Sequence, residues 1–165
     1  MENKVLFREA QRFKTWWIWF LLLGVSVIVI YTAGRDIYRG EGIGKFGPIF
    51  ALTTNGLLIV LFLIMKLETE VRPDGIYVRF HPFHRRFRRY PWQNLTEAYV
   101  REYSAIFEYG GWGLRGLGNN RALNVSGNKG IQLVTKRGDK LLIGTRKPIE
   151  AAAAIENYFT PSTYA

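Results

Sequence analysis

Two stretches of this chain carry no charge and show no polar face. Trp16 to Ala33 runs for eighteen residues, and Pro48 to Met65 for eighteen more, both rich in Leu, Ile, Val and Phe. At its regular rise, an eighteen-residue helix is about 27 Å long, close to the hydrocarbon thickness of a bilayer. The pattern predicts two transmembrane helices, 16–33 and 48–65, joined by a short extracytoplasmic loop, 34–47. Trp16, Trp17, Trp19 and Tyr31 suit the membrane interface, where a ring keeps its polar atom wet. A pair of buried core helices is the alternative, and long all-apolar runs argue against it. A cleaved signal peptide fits poorly. The first run exceeds a usual apolar core, and a cut after Ala33 would put Tyr31 where a small residue belongs.

Beyond the second run the period shortens to two. Leu67 to Arg72 alternates, and Pro73-Asp74-Gly75 supplies a turn. Ile76, Val78 and Phe80 then share one face of a second strand. His81 to His84 breaks it. Further strands are predicted at 87–92, 95–103, 121–126, 129–136 and 140–145. The stretch 105–109 is expected to continue its strand or bend at a bulge, and 110–120 to be a loop. Pro148 sits at a first helical position with Glu150 in the first turn, predicting a helix over 148–159. Ala152, Ile155 and Phe159 would form its apolar face. The domain 66–165 is thus expected to be an antiparallel β-sandwich or barrel plugged by a C-terminal helix. Before the spans, residues 1–15 interleave Val5, Leu6, Phe7, Ala10 and Phe13 with charges. Two readings stand: an amphipathic helix lying on the membrane face, or a frayed basic end that only sets topology.

Charge adds orientation. The chain has 165 residues, 48% hydrophobic and 15% aromatic, with a formal net charge of +10. That excess divides as +2 before the first span, +1 between the spans and +7 from Lys66 onward. Basic residues flanking spans stay inside, so both termini are expected in the cytoplasm. The apolar content argues against disorder. The chain has no Cys, which excludes a disulfide scaffold, thiol catalysis and Cys-ligated zinc or iron–sulfur sites.

Three groups of residues stand out. Arg85, Arg86, Arg88 and Arg89, with Arg79 nearby, form the densest basic patch. A basic residue at an anionic surface contributes about 1 kcal/mol, so the patch has reason to lie on anionic lipid; a solvated face that fixes topology is the other reading. The glycine loop Gly111 to Gly116 matches G-x-G-x-x-G, yet no helix is expected after it, which argues against a nucleotide. Either Trp112 tucks beneath a loop that needs its glycines, or Trp112, Leu114 and Arg115 form a contact tip for lipid or protein. Within the spans, Gly24, Ser26, Asn55 and Gly56 are expected to face the partner helix or another protomer. His81 and His84 are too few for a metal site and read as surface.

Gly110 to Gly116, Asn124 to Ile131 and Leu142 to Pro148 together carry a resemblance. On them the chain resembles small bacterial membrane proteins in which a two-helix hairpin precedes a bacterial pleckstrin-homology-like (PH-like) domain. The resemblance covers nearly the whole chain after residue 15. It implies that fold and a multi-pass tether in the bacterial cytoplasmic (inner) membrane, and it implies no reaction.

No general base lies beside a nucleophile in this sequence, and no enzyme, cofactor or metal is expected. The expected role is a non-enzymatic membrane-surface interaction or scaffold module. Its partners would be the lipid bilayer, with anionic lipids, and a protein partner or a homo-oligomer. Nucleic acid is not expected, because the basic charge sits beside the membrane. The alternatives are an oligomeric structural subunit, or an accessory subunit of a transporter or cell-envelope complex.

Overall fold

The computed structural model describes residues 5–13, 16–39, 46–116 and 118–159. The chain divides into two units, one of residues 13–64 and one of residues 1–12 with 65–165. The described architecture is α+β: two long apolar helices, then a β-domain with a C-terminal helix.

The first unit is a helical hairpin. Helix α1 spans Trp16–Arg39 and α2 spans Phe46–Ile64. Both are long and apolar enough to cross a membrane, and only 17% and 6% of their most apolar stretches are buried. Neither helix is therefore a buried core helix within this chain. Helix α1 continues past Ala33 through Arg35 to Arg39, six residues beyond the predicted span. An apolar run marks what lipid would solvate. A helix stops only where its backbone loses partners, and Gly34 alone does not stop it. Residues 40–45 of the predicted loop lie outside the described residues, as do Lys14 and Thr15. The seam between the helices follows a four-residue rhythm: Ile18, Leu22 and Ser26 on α1 against Ala51, Asn55 and Ile59 on α2. At one end of the seam the Phe13 and Phe62 rings meet edge to face, 5.4 Å apart.

The second unit holds two sheets. Strands β1 (Phe7–Arg12), β2 (Lys66–Arg72), β3 (Gly75–His81) and β4 (Arg88–Tyr90) form the first, antiparallel in chain order. Strands β5 (Leu95–Glu102), β6 (Gly113–Arg115), β7 (Asn120–Asn124), β8 (Lys129–Thr135) and β9 (Lys140–Gly144) form the second, ordered β5-β8-β9-β7-β6. This sheet is mixed, because β7 runs parallel to β9. The expectation of a purely antiparallel domain is corrected there. The chain leaves β7, passes to β8 on the far side of β9, and returns between them, so β7 and β8 never pair.

The N-terminal segment overturns the helix reading. Phe7 to Arg12 is a strand in register with β2, from Phe7 opposite Val71 to Arg12 opposite Lys66. Its burial alternates strictly, with Phe7, Glu9 and Gln11 inside. Two of those inward residues are polar, so they need partners. Gln11 Nε2 donates to the Gly144 carbonyl at 2.7 Å. The Glu9 carboxylate accepts from the Thr145 hydroxyl at 2.6 Å and the Arg146 amide at 2.9 Å. These bonds tie β1 of the first sheet to the end of β9 in the second.

The core comes from both sheets. Leu67, Val71, Ile76, Val78 and Phe80 on one face of the first sheet and Ile131, Leu133 and Ile143 on one face of the second are all fully buried. Each large side chain contributes roughly 1.5–3 kcal/mol by leaving water. Helix α4 (Pro148–Glu156) packs on β5, β8, β1 and β2. Its buried residues are Ala151, Ala154 and Ile155, with Phe159 just beyond it against Trp92. Ala152, placed on that face by spacing, is only half-buried. A second short helix, α3 (Ala105–Tyr109), replaces the strand or bulge expected there. Ser104 caps it by accepting from the Phe107 amide, Glu108 reaches back to the Ser104 amide at 2.8 Å, and Gly110 closes it with φ of 70°.

Candidate functional site

The basic patch grows from the end of β3. Phe83 stacks on Phe80 with ring centroids 5.7 Å apart, and the His84 amide donates to the Phe80 carbonyl at 2.8 Å. The His81–Pro82 peptide is cis. These contacts pin the loop from its inner side and leave Arg85, Arg86, Arg88 and Arg89 exposed.

The five arginines are not equivalent. Arg79 lies directly across from Glu68 in the β2–β3 ladder and binds its carboxylate, with its guanidinium also over the Phe87 ring at 4.6 Å. Arg89 pairs with Asp74 at 3.2 Å. Among the described residues Arg85, Arg86 and Arg88 make no ion pair. The free charge is therefore three arginines at the β3–β4 connection, Arg85 and Arg86 in the loop and Arg88 at the start of β4. Arg89 also joins Lys136 and Arg137 around a cleft of about 370 Å³, which holds a single carboxylate, Asp139, and extends the basic surface toward the β8–β9 turn.

The paired acids respond to these cations. Burial alone would raise the Glu68 carboxyl, but hydrogen bonds from Lys66 and Arg79 and their charges outweigh it, and its pKa lies below the ordinary value. Asp74 is held low by the Tyr77 hydroxyl first and by Arg89 and Arg72 after it, against a smaller desolvation. His84 contradicts its surface reading. It is buried at 8% exposure, and its pKa is lowered by desolvation first and then by the charges of Arg88 and Arg121. It is a neutral wedge under the loop. His81 is exposed, so the two imidazoles sit in different environments. Among the described residues no three His, Asp or Glu side chains gather as a metal centre would need.

The glycine loop divides in the same way. Trp112 packs on the buried cluster of Tyr103, Ala105, Ala122 and Leu142, and its indole N–H points at the Gly127 carbonyl, 3.4 Å away. Leu114 and Arg115 are exposed on β6, with Arg115 Nε donating to the Trp112 carbonyl at 2.9 Å. Of the proposed tip, Trp112 is thus a packing residue and two residues remain outward. The glycines are explained by backbone contact. Gly116 has φ of +83°, and a Cβ there would lie 2.0 Å from the Asn120 carbonyl oxygen. The loop runs into β7 and not into a helix, so the nucleotide geometry is absent.

The sequence pattern missed an apolar point beside this loop. Phe107 is 92% exposed on α3 and Ile106 is exposed next to it. The signal was present, because Ser104 and Gly110 bracket the segment as a helix start and stop.

In the hairpin, Ser26 and Asn55 meet across the seam. The Ser26 hydroxyl lies 2.7 Å from the Leu22 carbonyl and 3.0 Å from Asn55 Oδ1. One proton serves one acceptor, so an Asn55 amide turned to donate satisfies both contacts. Gly24 and Gly56 are exposed, and a Cβ added at either would meet nothing within 4 Å. They lie off the seam between α1 and α2. No protein-family model matches the chain, and no curated protein is similar to it.

Proposed function

We propose that this chain is a non-enzymatic integral membrane protein whose hairpin α1–α2 crosses the bacterial cytoplasmic membrane twice. Its β-domain works on the inner face as a PH-like surface module that engages anionic lipid through Arg85, Arg86 and Arg88. The observation that carries the reading is where the hairpin is inserted. It leaves the β-domain at Arg12 and returns at Lys66, and those residues are paired neighbours in one ladder. Two spans that start and finish at one strand pair require an even crossing, which supports both termini on one side. The charge distribution, +1 in the link against +2 and +7 outside it, supports that side being the cytoplasm. The two packed sheets with α4 between their ends support the PH-like reading.

The chain has no Cys, so single cysteines report topology cleanly. In intact cells a membrane-impermeant maleimide should label Glu41→Cys and spare Ser126→Cys; labelling of the second overturns the orientation. For lipid, the full chain in nanodiscs of graded phosphatidylglycerol content should show slowed amide exchange over 81–89 as anionic content rises. Changing Arg85, Arg86 and Arg88 to Ala should abolish that slowing. Equal exchange in neutral and anionic discs overturns the lipid role.

A further inference from the structure

Strand β5 is an edge with a symmetric message. It is hydrogen-bonded on one side, to β8, and ends the second sheet. It runs for eight residues, against six for the edge β1 and three each for the edges β4 and β6. It carries neither Lys nor Pro, the residues that usually blunt an edge. Its one irregularity, between Leu95 and Glu97, leaves the stretch from Glu97 to Arg101 in regular register.

The direction of its backbone groups follows from one bond. The Tyr103 amide donates to the Asn128 carbonyl at 2.8 Å, toward β8. Alternate residues of an antiparallel strand turn their N–H and C=O the same way. Glu97, Tyr99 and Arg101 therefore bond to β8, and Ala98 and Val100 present theirs outward. Read in reverse about Tyr99, the segment Glu97-Ala98-Tyr99-Val100-Arg101 exchanges an acid for a base.

We propose that β5 pairs antiparallel with β5 of a second copy, about a two-fold axis at Tyr99, joining two second sheets into one. In this register Ala98 and Val100 exchange backbone hydrogen bonds with Val100 and Ala98 of the second copy. Tyr99 meets its own symmetry mate, and each Glu97 faces Arg101 of the other copy. Glu97 is exposed and has no ion-pair partner among the described residues. Arg101 holds Glu108 at 2.7 Å and Gln132 at 3.0 Å. With the Glu102 carbonyl and the Tyr109 hydroxyl also bonded, four of its five N–H groups are engaged, and the second hydrogen on Nη1 is left for Glu97 of the second copy. Tyr99 is 44% exposed, on the same sheet face as a cleft of about 460 Å³ that Glu97, Arg101, Glu108 and Tyr109 also line. A one-residue slip would break the match of outward backbone groups, and a two-residue slip would set Glu97 against Tyr99 or Tyr103 of the second copy and lose the acid–base pair, so charge selects among the registers the backbone allows. The pairing is independent of the lipid reading, because it uses none of the loop arginines.

The test uses the full chain in mild detergent. Light scattering should give a protein mass twice the 19.1 kDa chain. Glu97→Arg should weaken the dimer by about tenfold, since two symmetric pairs turn repulsive at once. Adding Arg101→Glu to it should restore the dimer. Should that double variant not fold, cysteines decide. A directly opposed, non-hydrogen-bonded pair has Cα atoms about 4.5 Å apart, within disulfide reach. Tyr99→Cys should therefore oxidise to a covalent dimer. Glu97→Cys should not, lying about 13 Å from its mate along the strand, while a mixture of Glu97→Cys and Arg101→Cys chains should cross-link. A monomeric mass, a dimer that ignores Glu97→Arg, or equal cross-linking of Glu97→Cys and Tyr99→Cys would overturn the pairing. A dimer held by the spans alone gives the second of those results.

Discussion

The hairpin and the β-domain are both rich in Leu, Ile, Val and Phe, and they turn those residues in opposite directions. In the hairpin Phe20, Leu23, Ile28 and Leu57 are more than half exposed, while Ser26 and Asn55 meet across the seam and the exposed Thr53 bonds back to its own helix at Ile49. In the domain Leu67, Val78, Phe80 and Leu133 are fully buried, while Arg85, Arg86 and Arg88 face outward. One physical rule produces both arrangements, because apolar surface leaves water wherever it can. In the domain the other sheet receives that surface. In the proposed membrane state lipid receives it, and helix contact is left to packing and a few polar bonds. The difference teaches where each unit is vulnerable: the domain through its volume, and the hairpin through what surrounds it.

The strongest way to break that comparison is to remove volume from both. Phe80→Ala should cost the domain about 3–5 kcal/mol, the usual range for a buried aromatic. Leu23→Ala, on the outward face of α1, should leave the domain's stability within about 0.5 kcal/mol. Denaturant titration of the full chain, followed by near-ultraviolet circular dichroism, checks both, and equal losses would erase the contrast. Next in size is Glu9→Ala, which strips the Thr145 hydroxyl and Arg146 amide of their shared acceptor. The loss should be about 1–3 kcal/mol, and a neutral result would mean that β1 does not tie the two sheets.

The same contrast decides what the sequence could reveal. The hairpin was legible because its two helices are long uncharged apolar runs with no periodicity to disentangle. Strand β1 was not, because its inward face carries Glu9 and Gln11, whose partners lie more than 130 positions away. No local pattern announces that a carboxylate is to be buried. The pairing of Arg79 with Glu68 was within reach. A two-residue Pro73-Asp74 loop sets Arg72 opposite Gly75, and counting back four residues places Glu68 opposite Arg79. Helix α3 was also readable from its caps. The buried His84 was not, because burial of a loop residue depends on what the rest of the fold lays against it.

A smaller effect separates the two units by pH. The His84 pKa is lowered in the folded domain by burial and by Arg88 and Arg121, from an ordinary 6.5. Below 6.5 the unfolded chain takes up a proton that the folded chain refuses until its lower pKa is reached. Domain stability should therefore fall as pH drops from about 7.5 to about 5.5. Glu68 works in the same direction in a lower window. Its folded pKa lies under the ordinary 4.5, so its contribution is present above that value and lost as pH falls through the folded one. Denaturation midpoints at the two ends of the histidine window should differ in the wild type, and His84→Leu should flatten the difference. An unchanged slope would place the titrating group elsewhere.

The smallest effect tests the hairpin from inside. Ser26→Ala removes one hydroxyl that bridges the Leu22 carbonyl and Asn55 across the seam. In water, an unpartnered buried amide would make that loss costly. Hydrogen bonds between helices in lipid average only about 0.6 kcal/mol, since the separated helices find other partners. The expected loss is therefore about 0.6 kcal/mol, well below that of Glu9→Ala in the domain. It can be read as a shift in the energy transfer between dyes placed on α1 and α2 as denaturing detergent is added. A loss as large as that of Glu9→Ala would mean that the seam around Asn55 is sealed like a water-excluded core. The hairpin would then hold together by the same rule as the domain, and not by the packing of two helices whose outer faces are left to lipid.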